Sequence, residues 1–517
     1  MANKTLFASL RGARIPQTDT VNSENAPAYA LAPKQALAQY AATGCLGRTF
    51  YATADEQLTR VLELCDGVDP QFVARLALYS RTQSFMKDMP ALLCAWLSVR
   101  DARLHEAVFA RVIDNARMLR TYVQILRSGV VGRKSLGTAP KRLVREWLAS
   151  RDEDVLFGSS AGQSPSLSDI VKMVHPKPAG PAREAFYGYM LGRSYDANAL
   201  PKLVMQFEQF KAGETLDVPD LPFMLLSALP LAKRDWVSIA KNASWQTTRM
   251  NLNTFARHGV FEAAGLAGTI AARLRDAGEI QRARVFPYQL FTAYQNCDAA
   301  VPREVRDALQ DAMELAIANV PAIEGRVVVC PDVSSSMRSP VTGHRRGSTT
   351  AVQCVDVAAL VAAAVLRKNA SATILPFEEA VVPVDLNSRD SVMTNAGRLA
   401  GIGGGGTNCS APVRMLNKRE AGADLIILVS DNESWVDAGR GRGTALMAEW
   451  SEFRQRNPKA RLVCLDIQPG SSTQACERED ILNIGGFSDQ VFEVISEFAA
   501  GRLEADHWIA RIEAVAV

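Results

Sequence analysis

Hydrophobic positions follow a helical period from residue 33 to residue 319. Leu58, Val61, Leu62 and Cys65 fall on one helical face, and similar stretches recur between short breaks that contain Gly, Pro, Asp or Ser. Paired helices of this kind are typical of HEAT-like repeats, in which stacked pairs share a continuous core. The pattern therefore predicts an all-α region, preceded by an extended arm over residues 1–32.

A different rhythm begins at residue 321, where short runs of Val, Ile and Leu alternate with amphipathic stretches. The predicted strands are residues 326–330, 372–377, 424–429 and 461–467, and the predicted helices are residues 351–368, 391–399, 444–454 and 489–499. Alternation of this kind is typical of a doubly wound parallel sheet. We therefore expect two domains, an all-α HEAT-like region over residues 1–320 and an α/β domain over residues 321–517.

Length and composition agree with a folded protein of more than one domain. The chain has 517 residues, of which 48% are hydrophobic and 22% charged. The opening residues lack the apolar core of a signal peptide, and the apolar runs are shorter than the ~18 residues that a membrane span needs. Nine cysteines lie singly, without a C-x-x-C pair. This usage predicts a reducing, cytoplasmic location and no membrane association.

The net charge of +3 conceals an asymmetry between the two parts of the chain. Residues 1–320 carry 38 Lys and Arg against 31 Asp and Glu, whereas residues 321–517 carry 20 against 24. Any polyanionic partner should therefore bind the first part.

Oxygen-bearing side chains stand at the ends of two predicted strands in the second part. Asp332, Ser334 and Ser336 form a D-x-S-x-S loop after the first strand, and Asp431 ends the third. Thr407 follows a run of four glycines. Ligands of parallel sheets bind outside the carboxyl ends of the strands, and hard divalent cations prefer oxygen donors. The alternative is that the serines only cap a helix.

Four clusters of basic residues occur in the helical region. They comprise Arg133, Lys134, Lys141 and Arg142; Lys172, His175 and Lys177; Arg249 and Arg257, with Asn253 between them at helical spacing; and Arg273, Arg275, Arg282 and Arg284. Each alone could be an ordinary solvated helix face. Four in one part of the chain favour binding of a polyanion such as RNA.

These motifs together resemble the Ro autoantigen (TROVE-domain) family of RNA-binding proteins. The matching segments are TVNSE at residues 20–24, GRKS at 132–135 with Lys141 and Arg142, DIVKMVHPKP at 169–178, and RMNL at 249–252. The D-x-S-x-S, Thr and Asp pattern resembles the metal-ion-dependent adhesion site of von Willebrand factor A domains. The resemblance covers nearly the whole chain.

The resemblance implies a ring of HEAT-like repeats closed by the A domain. It implies that small non-coding Y RNAs bind the outside of the ring and that single-stranded ends of misfolded RNAs enter a basic hole. It also implies an exoribonuclease partner in RNA quality control and stress response, a monomer, and a divalent ion, Mg²⁺, as the bound metal. Lys172 and His175 match the Y RNA surface, and Asp332, Ser334, Ser336, Thr407 and Asp431 match the metal site.

One segment departs from the family pattern. Many relatives carry a basic helix just before the D-x-x-x-x-x-H stretch, whereas residues 151–160 here are acidic and then polar. The Y RNA footprint on this flank could be smaller or could use Lys134, Lys141 and Arg142. His175 could also be a helix-end histidine favoured by the helix dipole.

Two other functions remain open. A metal-dependent protein-binding module would share the oxygen site but would bind no nucleic acid. An enzyme would need a positioned base near the metal. The glycines at 403–406 lack the Lys of a P-loop, and we expect no catalysis.

Overall fold

The computed structural model describes residues 15–162, 164–283, 285, 287–317, 320–341, 343, 352–438, 443–486, 489–502 and 507–517. Three expectations therefore lie partly outside the described residues, namely the arm over residues 1–14, the helix start at residue 351, and Arg284. By packing, one compact unit contains Met1–Met89, Val285–Thr292 and Met313–Ala516, and the other contains Pro90–Arg284 and Ala293–Ala312. The division of the sequence at residue 320 stays a prediction.

Helices make up most of the described chain up to residue 317. They are α1 (Pro33–Thr43), α2 (Ala54–Asp66), α3 (Pro70–Thr82), α4 (Asp88–Arg100), α5 (Ala102–Val112), α6 (Ala116–Ser128), α7 (Thr138–Ala149), α8 (Glu153–Gly158), α9 (Leu167–Val174), α10 (Pro181–Leu191), α11 (Lys202–Ala212), α12 (Phe223–Leu226), α13 (Lys233–Asn242), α14 (Trp245–Met250), α15 (Leu252–Arg257), α16 (Leu266–Leu274), α17 (Ala277–Ala283), α18 (Pro287–Gln295) and α19 (Arg303–Ala316). Contacts join near neighbours in sequence, such as α5 with α7, α9 with α10, and α13 with α16.

Local sequence signals explain where several of these helices begin and end. Thr53 and Glu56 form a capping box at α2, and Asn115 caps α6, which ends at Gly129 in the left-handed conformation. The sequence predicted a single helix through residues 249–257, and this prediction is wrong. The helix is interrupted at Asn251, so Arg249 lies on α14 and Arg257 on α15.

The helical region is followed by a five-stranded parallel sheet. This architecture confirms the predicted fold class, a helical, repeat-rich region followed by an α/β domain. The strands of the sheet are β3 (Val327–Pro331), β4 (Thr373–Ile374), β5 (Leu425–Ser430), β6 (Arg461–Asp466) and β8 (Ile481–Gly485), in the order β4-β3-β5-β6-β8. Helices α20 (Cys354–Lys368), α21 (Val392–Ala400), α22 (Ala411–Lys418), α23 (Ala445–Arg456) and α24 (Asp489–Ala499) connect or follow the strands. The sequence missed β8.

The strand order creates a switch point at β3. The chain moves from β3 to β4 on one side and then to β5 on the other. The crevice between the carboxyl ends of β3 and β5 is where parallel sheets of this kind bind ligands. Pro331 pairs with Val429, so the residues that follow β3 and β5 lie side by side.

The first 89 residues also contribute to this unit. Strands β1 (Thr20–Val21) and β2 (Pro27–Ala30) lie in the predicted extended arm, and β2 pairs with β7 (Ser472–Thr473). The final helix, α25 (His507–Glu513), packs on α3, where the Trp508 indole N–H donates to the Tyr79 hydroxyl at 3.1 Å. Within the described parts of the chain, no helix is both long and apolar enough to cross a lipid bilayer.

Candidate functional site

The ends of β3 and β5 place the two predicted carboxylates next to each other. Asp332 follows β3, and its backbone N–H donates to the Val429 carbonyl of β5 at 2.9 Å. Asp431 directly follows β5. Both strands consist mainly of buried aliphatic residues, so the two carboxylates lie where the strands leave the core. Both carboxylates are buried.

The D-x-S-x-S loop folds around the Asp332 carboxylate. Ser334 donates its backbone N–H to Asp332 Oδ1 at 2.8 Å, and the Ser334 and Ser336 hydroxyl oxygens lie 3.2 Å apart. Burial raises the pKa of Asp431, and the Ser336 side chain opposes this rise. Ser336 begins a single 3₁₀ turn without a side-chain cap of its own. The two hydroxyls therefore face the carboxylates, and the helix-cap alternative does not describe them.

The glycine-rich loop brings Thr407 to the same place. Ser335 donates its backbone N–H to the Gly405 carbonyl at 2.9 Å, which joins this loop to the D-x-S-x-S loop. Gly403 has a φ of +78°, and a Cβ there would lie 2.4 Å from the Val333 carbonyl oxygen. Only glycine permits this approach. The loop that carries Thr407 thus packs against the D-x-S-x-S loop, and Thr407 is buried like the other four predicted donors.

Electrostatics at the site are dominated by the two buried carboxylates. Burial, and then the charge of Asp431, raises the pKa of Asp332 to about 7, although hydrogen bonds from Ser334 and Ser430 oppose the shift. Burial likewise raises the pKa of Asp431. No cationic side chain is among the leading influences on either group. Two buried acids without a counterion are costly, so a bound cation would stabilise the arrangement.

The donor set suits a hard divalent cation rather than a soft one. Two carboxylates and three hydroxyls supply only oxygen ligands, which Mg²⁺ prefers. Within the described residues no group of three or more His, Cys, Asp or Glu has the arrangement of a metal site. The candidate site would therefore depend on its serine and threonine hydroxyls.

Sequence reasoning missed several residues around this site. The Ser430 hydroxyl donates to Asp332 Oδ2 at 2.6 Å, and it could have been suspected because it ends β5 beside Asp431. Ser23 donates its backbone N–H and its hydroxyl to Glu433, at 2.7 and 3.1 Å. Burial raises the pKa of the Tyr51 hydroxyl, and the charge of Asp431 adds to the rise. Ser23 and Tyr51 lie far away in sequence, and no local pattern marks them.

Two predicted basic clusters lie on adjacent helices. Helices α7 and α9 are in contact, and the Arg145 guanidinium Nε–H donates to the Val174 carbonyl at 2.5 Å. The helix that carries Lys141 and Arg142 therefore packs on the helix that carries Lys172 and ends at His175. The exposed members are Lys134, Arg142, Lys172, His175 and Lys177, and Arg133 and Lys141 are half-buried.

Some of these cations already have partners within the protein. Arg142 binds Glu106 and Glu146, with N–O distances of 2.6 and 2.9 Å. The Arg133 guanidinium donates to the Ser98 carbonyl at 3.3 Å. In contrast, no ion pair is found for Lys134, Lys172 or Lys177 among the described residues. The free charge of this surface thus comes mainly from three lysines.

His175 ends α9 in the left-handed conformation, with a φ of +49°. Its backbone N–H donates to the Val171 carbonyl at 3.0 Å, and its side chain is exposed. This position is compatible both with RNA contact and with a helix-end histidine. On the flank that departs from the family pattern, α8 is held by a 2.6 Å ion pair between Glu153 and the buried Arg183.

The third and fourth clusters are less open than the first two. Arg249 is half-buried, with its Nε–H donating to the Gln246 side chain at 3.3 Å, and Arg257 is exposed. Arg273 donates to the Ala240 carbonyl, and Arg275 pairs with Asp311 at 2.6 Å. Arg273 and Arg275 therefore link one helix to another, whereas Arg249 bonds within its own helix. Arg257 keeps its charge at the surface.

Comparison with known proteins gives a consistent picture. Residues 326–499 match the family model of the Ro60 vWA domain. The chain is 25% identical to the RNA-binding protein RO60 of Deinococcus radiodurans over 545 residues, which cover 97% of this chain and 100% of that protein. It is 22% identical to the RNA-binding protein RO60 of Caenorhabditis elegans, over 45% of this chain and 37% of that protein.

A solved structure agrees with the fold. The crystal structure of the Deinococcus radiodurans RO (RSR) protein superposes with a TM-score of 0.63 at 21% identity, covering 91% of this chain and 100% of that one. Both parts of the described architecture, the helical region and the parallel sheet, thus occur in one known fold. Taken with the family model and the full-length relative, these findings show that the chain is similar to Ro proteins over nearly its whole length.

Proposed function

We propose that this chain is the non-catalytic RNA-binding scaffold of a ribonucleoprotein. Its RNA ligands would be a small non-coding Y RNA on the outer surface and the single-stranded ends of misfolded RNAs in a basic hole. The role would be RNA quality control and stress response in the cytoplasm, with an exoribonuclease as partner and the chain as a monomer. Relatives named RNA-binding protein RO60 support the RNA-binding part of this proposal.

The observation that carries the proposal is the contact between α7 and α9, which carry or adjoin two clusters of exposed cations; these two clusters are called the basic face of α7 and α9 below. Clusters that are separate in sequence become neighbours, and Lys134, Lys172 and Lys177 present their charges to solvent. Phosphate groups are the ligands that such a face binds most generally. RNA affinity should therefore fall steeply with salt, and an unpaired tail should fit a narrow basic hole that a duplex cannot enter.

The proposal includes a divalent cation, with Mg²⁺ as the ion. Asp332, Ser334, Ser336, Thr407 and Asp431 would hold it. The bound ion would offset the repulsion between the two buried carboxylates and would fix the D-x-S-x-S loop against the glycine-rich loop. In this proposal the ion has a structural role, and RNA binds elsewhere.

One observation favours a second candidate function, a metal-dependent protein-binding module without nucleic acid. Trp435 is 43% exposed and lies next to Thr407, whose carbonyl accepts the Trp435 backbone N–H at 3.1 Å. Exposed aromatic residues are common in protein interfaces. The basic face of α7 and α9 has no role in this alternative.

The first test is RNA recovery from the native host, followed by binding of a hairpin with and without a single-stranded tail at two salt concentrations. Binding that favours the tailed RNA and weakens with salt is the expected result. If no RNA copurifies and binding does not depend on salt, the protein-binding alternative replaces the RNA scaffold.

A further inference from the structure

The helical unit contains an open cavity of ≈ 410 Å³, which is lined by none of the basic residues described above. One wall comes from residues 218–226, which include helix α12, and the other from the junction between the end of α13 and the start of α14. Sites for small ligands typically have volumes of about 300–1,000 Å³. This space, the α12–α14 cavity, therefore has room for one small ligand or one unstacked nucleotide.

The wall at the α13–α14 junction is fixed by hydrogen bonds with α16 and the residue groups at its end. The Arg273 guanidinium donates to two carbonyl groups at the end of α13 and, at 3.1 Å, to the Thr248 hydroxyl of α14. The Trp245 indole N–H of α14 donates to the Leu274 carbonyl of α16 at 3.1 Å. Because these contacts hold both helices, the junction over residues 242–244 keeps its position, and its polar groups are preorganised for a ligand.

The opposite wall is largely apolar and is also constrained. Pro219 and Pro222 line the cavity and restrict two backbone φ angles of this wall. The Phe223 ring, which also lines the cavity, packs against the Trp236 ring with the centroids 5.8 Å apart. Leu226 completes the wall and is buried. A flat ligand such as a nucleobase can stack on an aromatic and aliphatic wall of this kind.

The polar side chains that line the cavity differ in whether they already have partners. The Ser244 and Thr247 hydroxyl groups hydrogen bond with each other at 2.9 Å. In contrast, no hydrogen bond or ion pair of the Asp220 or Asn242 side chain is found among the described residues. Asp220 belongs to the largely apolar wall, Asn242 ends α13, and both are exposed. A carboxylate, which only accepts, and an amide, which can donate, are thus available to a ligand.

A guanine base matches this pair of groups. Its Watson–Crick edge presents two neighbouring donors, N1–H and the N2 amino group, beside the O6 acceptor. The Asp220 carboxylate suits the two donors, and the Asn242 amide can donate to O6. Adenine has an unprotonated N1 at the corresponding position, and a carboxylate repels this acceptor.

A cation next to the cavity favours a ligand that carries a phosphate. Lys241 directly precedes Asn242 and is exposed, and the described residues form no ion pair with its side chain. Lysine contacts with phosphate are a general feature of nucleic-acid binding. A guanidinium cation would also suit Asp220, but Lys241 would repel it. The charges around the cavity therefore favour a nucleotide over a cationic ligand.

We propose that the α12–α14 cavity binds one unpaired guanine of an RNA strand. Asp220 accepts from N1–H and the N2 amino group, Asn242 donates to O6, and the base stacks on Phe223. This inference rests on the RNA binding of the proposed function and adds to it a preference for one base. Basic residues that bind phosphate position an RNA without reading its sequence, whereas this cavity reads one base.

The test compares four fluorescent RNA heptamers, each made of uridines except for a central uracil, guanine, adenine or hypoxanthine base. Hypoxanthine keeps the N1–H and O6 groups of guanine but lacks the N2 amino group. Dissociation constants for the full chain are measured by fluorescence anisotropy at two salt concentrations. The variants are Asp220→Asn, Asn242→Ala and Lys241→Gln. Asp217→Asn is the matched control, because it removes the same charge from an exposed residue of the same segment that does not line the cavity.

In the parent protein, the guanine heptamer should bind at least about fivefold more tightly than the adenine heptamer, because a bidentate contact discriminates between bases by at least this factor. The hypoxanthine heptamer should lie between them. Asp220→Asn should abolish the preference for guanine, Asn242→Ala should reduce it, and Asp217→Asn should leave it unchanged. Lys241→Gln should weaken the binding of all four heptamers equally and lower the slope of log K against log salt concentration by about 0.7.

Four results would overturn the inference, and they differ in what else they remove. Equal, salt-dependent binding of the guanine and adenine heptamers would refute the guanine site and leave the RNA scaffold intact. A preference for guanine that survives Asp220→Asn would mean that another part of the chain reads the base. Calorimetric binding of L-argininamide that Asp220→Asn abolishes, without any base preference, would make the cavity a guanidinium site. No binding of any heptamer would remove both this inference and the proposed function.

Discussion

Removing charge from the basic face of α7 and α9 tests whether RNA binds there. Some cations of this face are free, and others are already neutralised by ion pairs. Lys134, Lys172 and Lys177 are exposed, and the described residues form no ion pair with them. Each lysine that binds a phosphate releases about 0.7 counterion from single-stranded nucleic acid. The triple variant Lys134→Gln, Lys172→Gln, Lys177→Gln should therefore reduce the slope of log K against log salt concentration by about 2.

The change in the slope of log K against log salt concentration determines how much RNA affinity the triple variant loses. If binding at 1 M salt is unaffected, a slope smaller by about 2 corresponds to about 100-fold weaker binding at 0.1 M salt. The measurement is the dissociation constant of a tailed RNA hairpin by fluorescence anisotropy at several salt concentrations. Circular dichroism and thermal unfolding establish that the exposed substitutions leave the fold intact.

Arg142 supplies the matched control on the same face. It is similarly exposed, but Glu106 and Glu146 already neutralise it, so Arg142→Gln should change the slope much less than one lysine does. Conversely, Glu106→Gln with Glu146→Gln should release the guanidinium and strengthen RNA binding. A triple lysine variant whose salt dependence parallels that of the parent protein would refute the assignment of RNA to this face. So would an Arg142 variant as damaging as the triple one.

Three further predictions concern the rest of the molecule. Burial lowers the pKa of His105 to about 4, against about 6.5 in the unfolded chain. The contribution of neutral His105 to the free energy of unfolding is therefore complete above pH 6.5 and falls as the pH drops. Urea unfolding should show a loss of about 2 kcal/mol by pH 4.5, and His105→Gln should not show this loss. Gly403→Ala should lower the free energy of unfolding by about 1–3 kcal/mol and weaken the binding of Mn²⁺, which suits the same oxygen ligands as Mg²⁺. Gly397→Ala is the control, because a Cβ on this residue of helix α21 meets open space, and it should raise the free energy of unfolding by up to about 1 kcal/mol. Thermal and denaturant unfolding compare the two variants. Asp332→Ala should abolish Mn²⁺ binding, measured by calorimetry, and leave RNA affinity nearly unchanged; an equal loss of both would contradict separate sites.

The sequence predicts features that depend on local periodicity and on strand ends. Residues 327–329 and 425–429 are unbroken aliphatic runs, so the burial of these strands, and the position of Asp332 and Asp431 after them, follow from pattern alone. Short strands give no such signal. Pro27–Ala30 becomes a strand by pairing with Thr20–Val21 and with Ser472–Thr473, which no local pattern reveals.

The limits of pattern reading are also visible in the helices and in the site itself. Spacing alone suggested a continuous helix through Asn251, but local chain geometry interrupts it there. Spacing also cannot show that Glu106 and Glu146 neutralise Arg142, or that Ser23 donates to Glu433. Those facts depend on tertiary contacts between distant segments. Charge clusters read from a sequence therefore overstate the number of cations available to a ligand.

The contact between the β1–β2 turn and the loop after β5 has a consequence for biosynthesis. The contact between Asn22 and Ser434 joins residues 412 positions apart. At translation rates of about 5–20 residues per second, the ribosome needs roughly 20–80 s to make the second partner after the first has emerged. Over that time the nascent turn has no native surface on which to fold. Asn22 is thus synthesised long before its native partner exists, and the turn that carries it is among the last segments to reach native contacts.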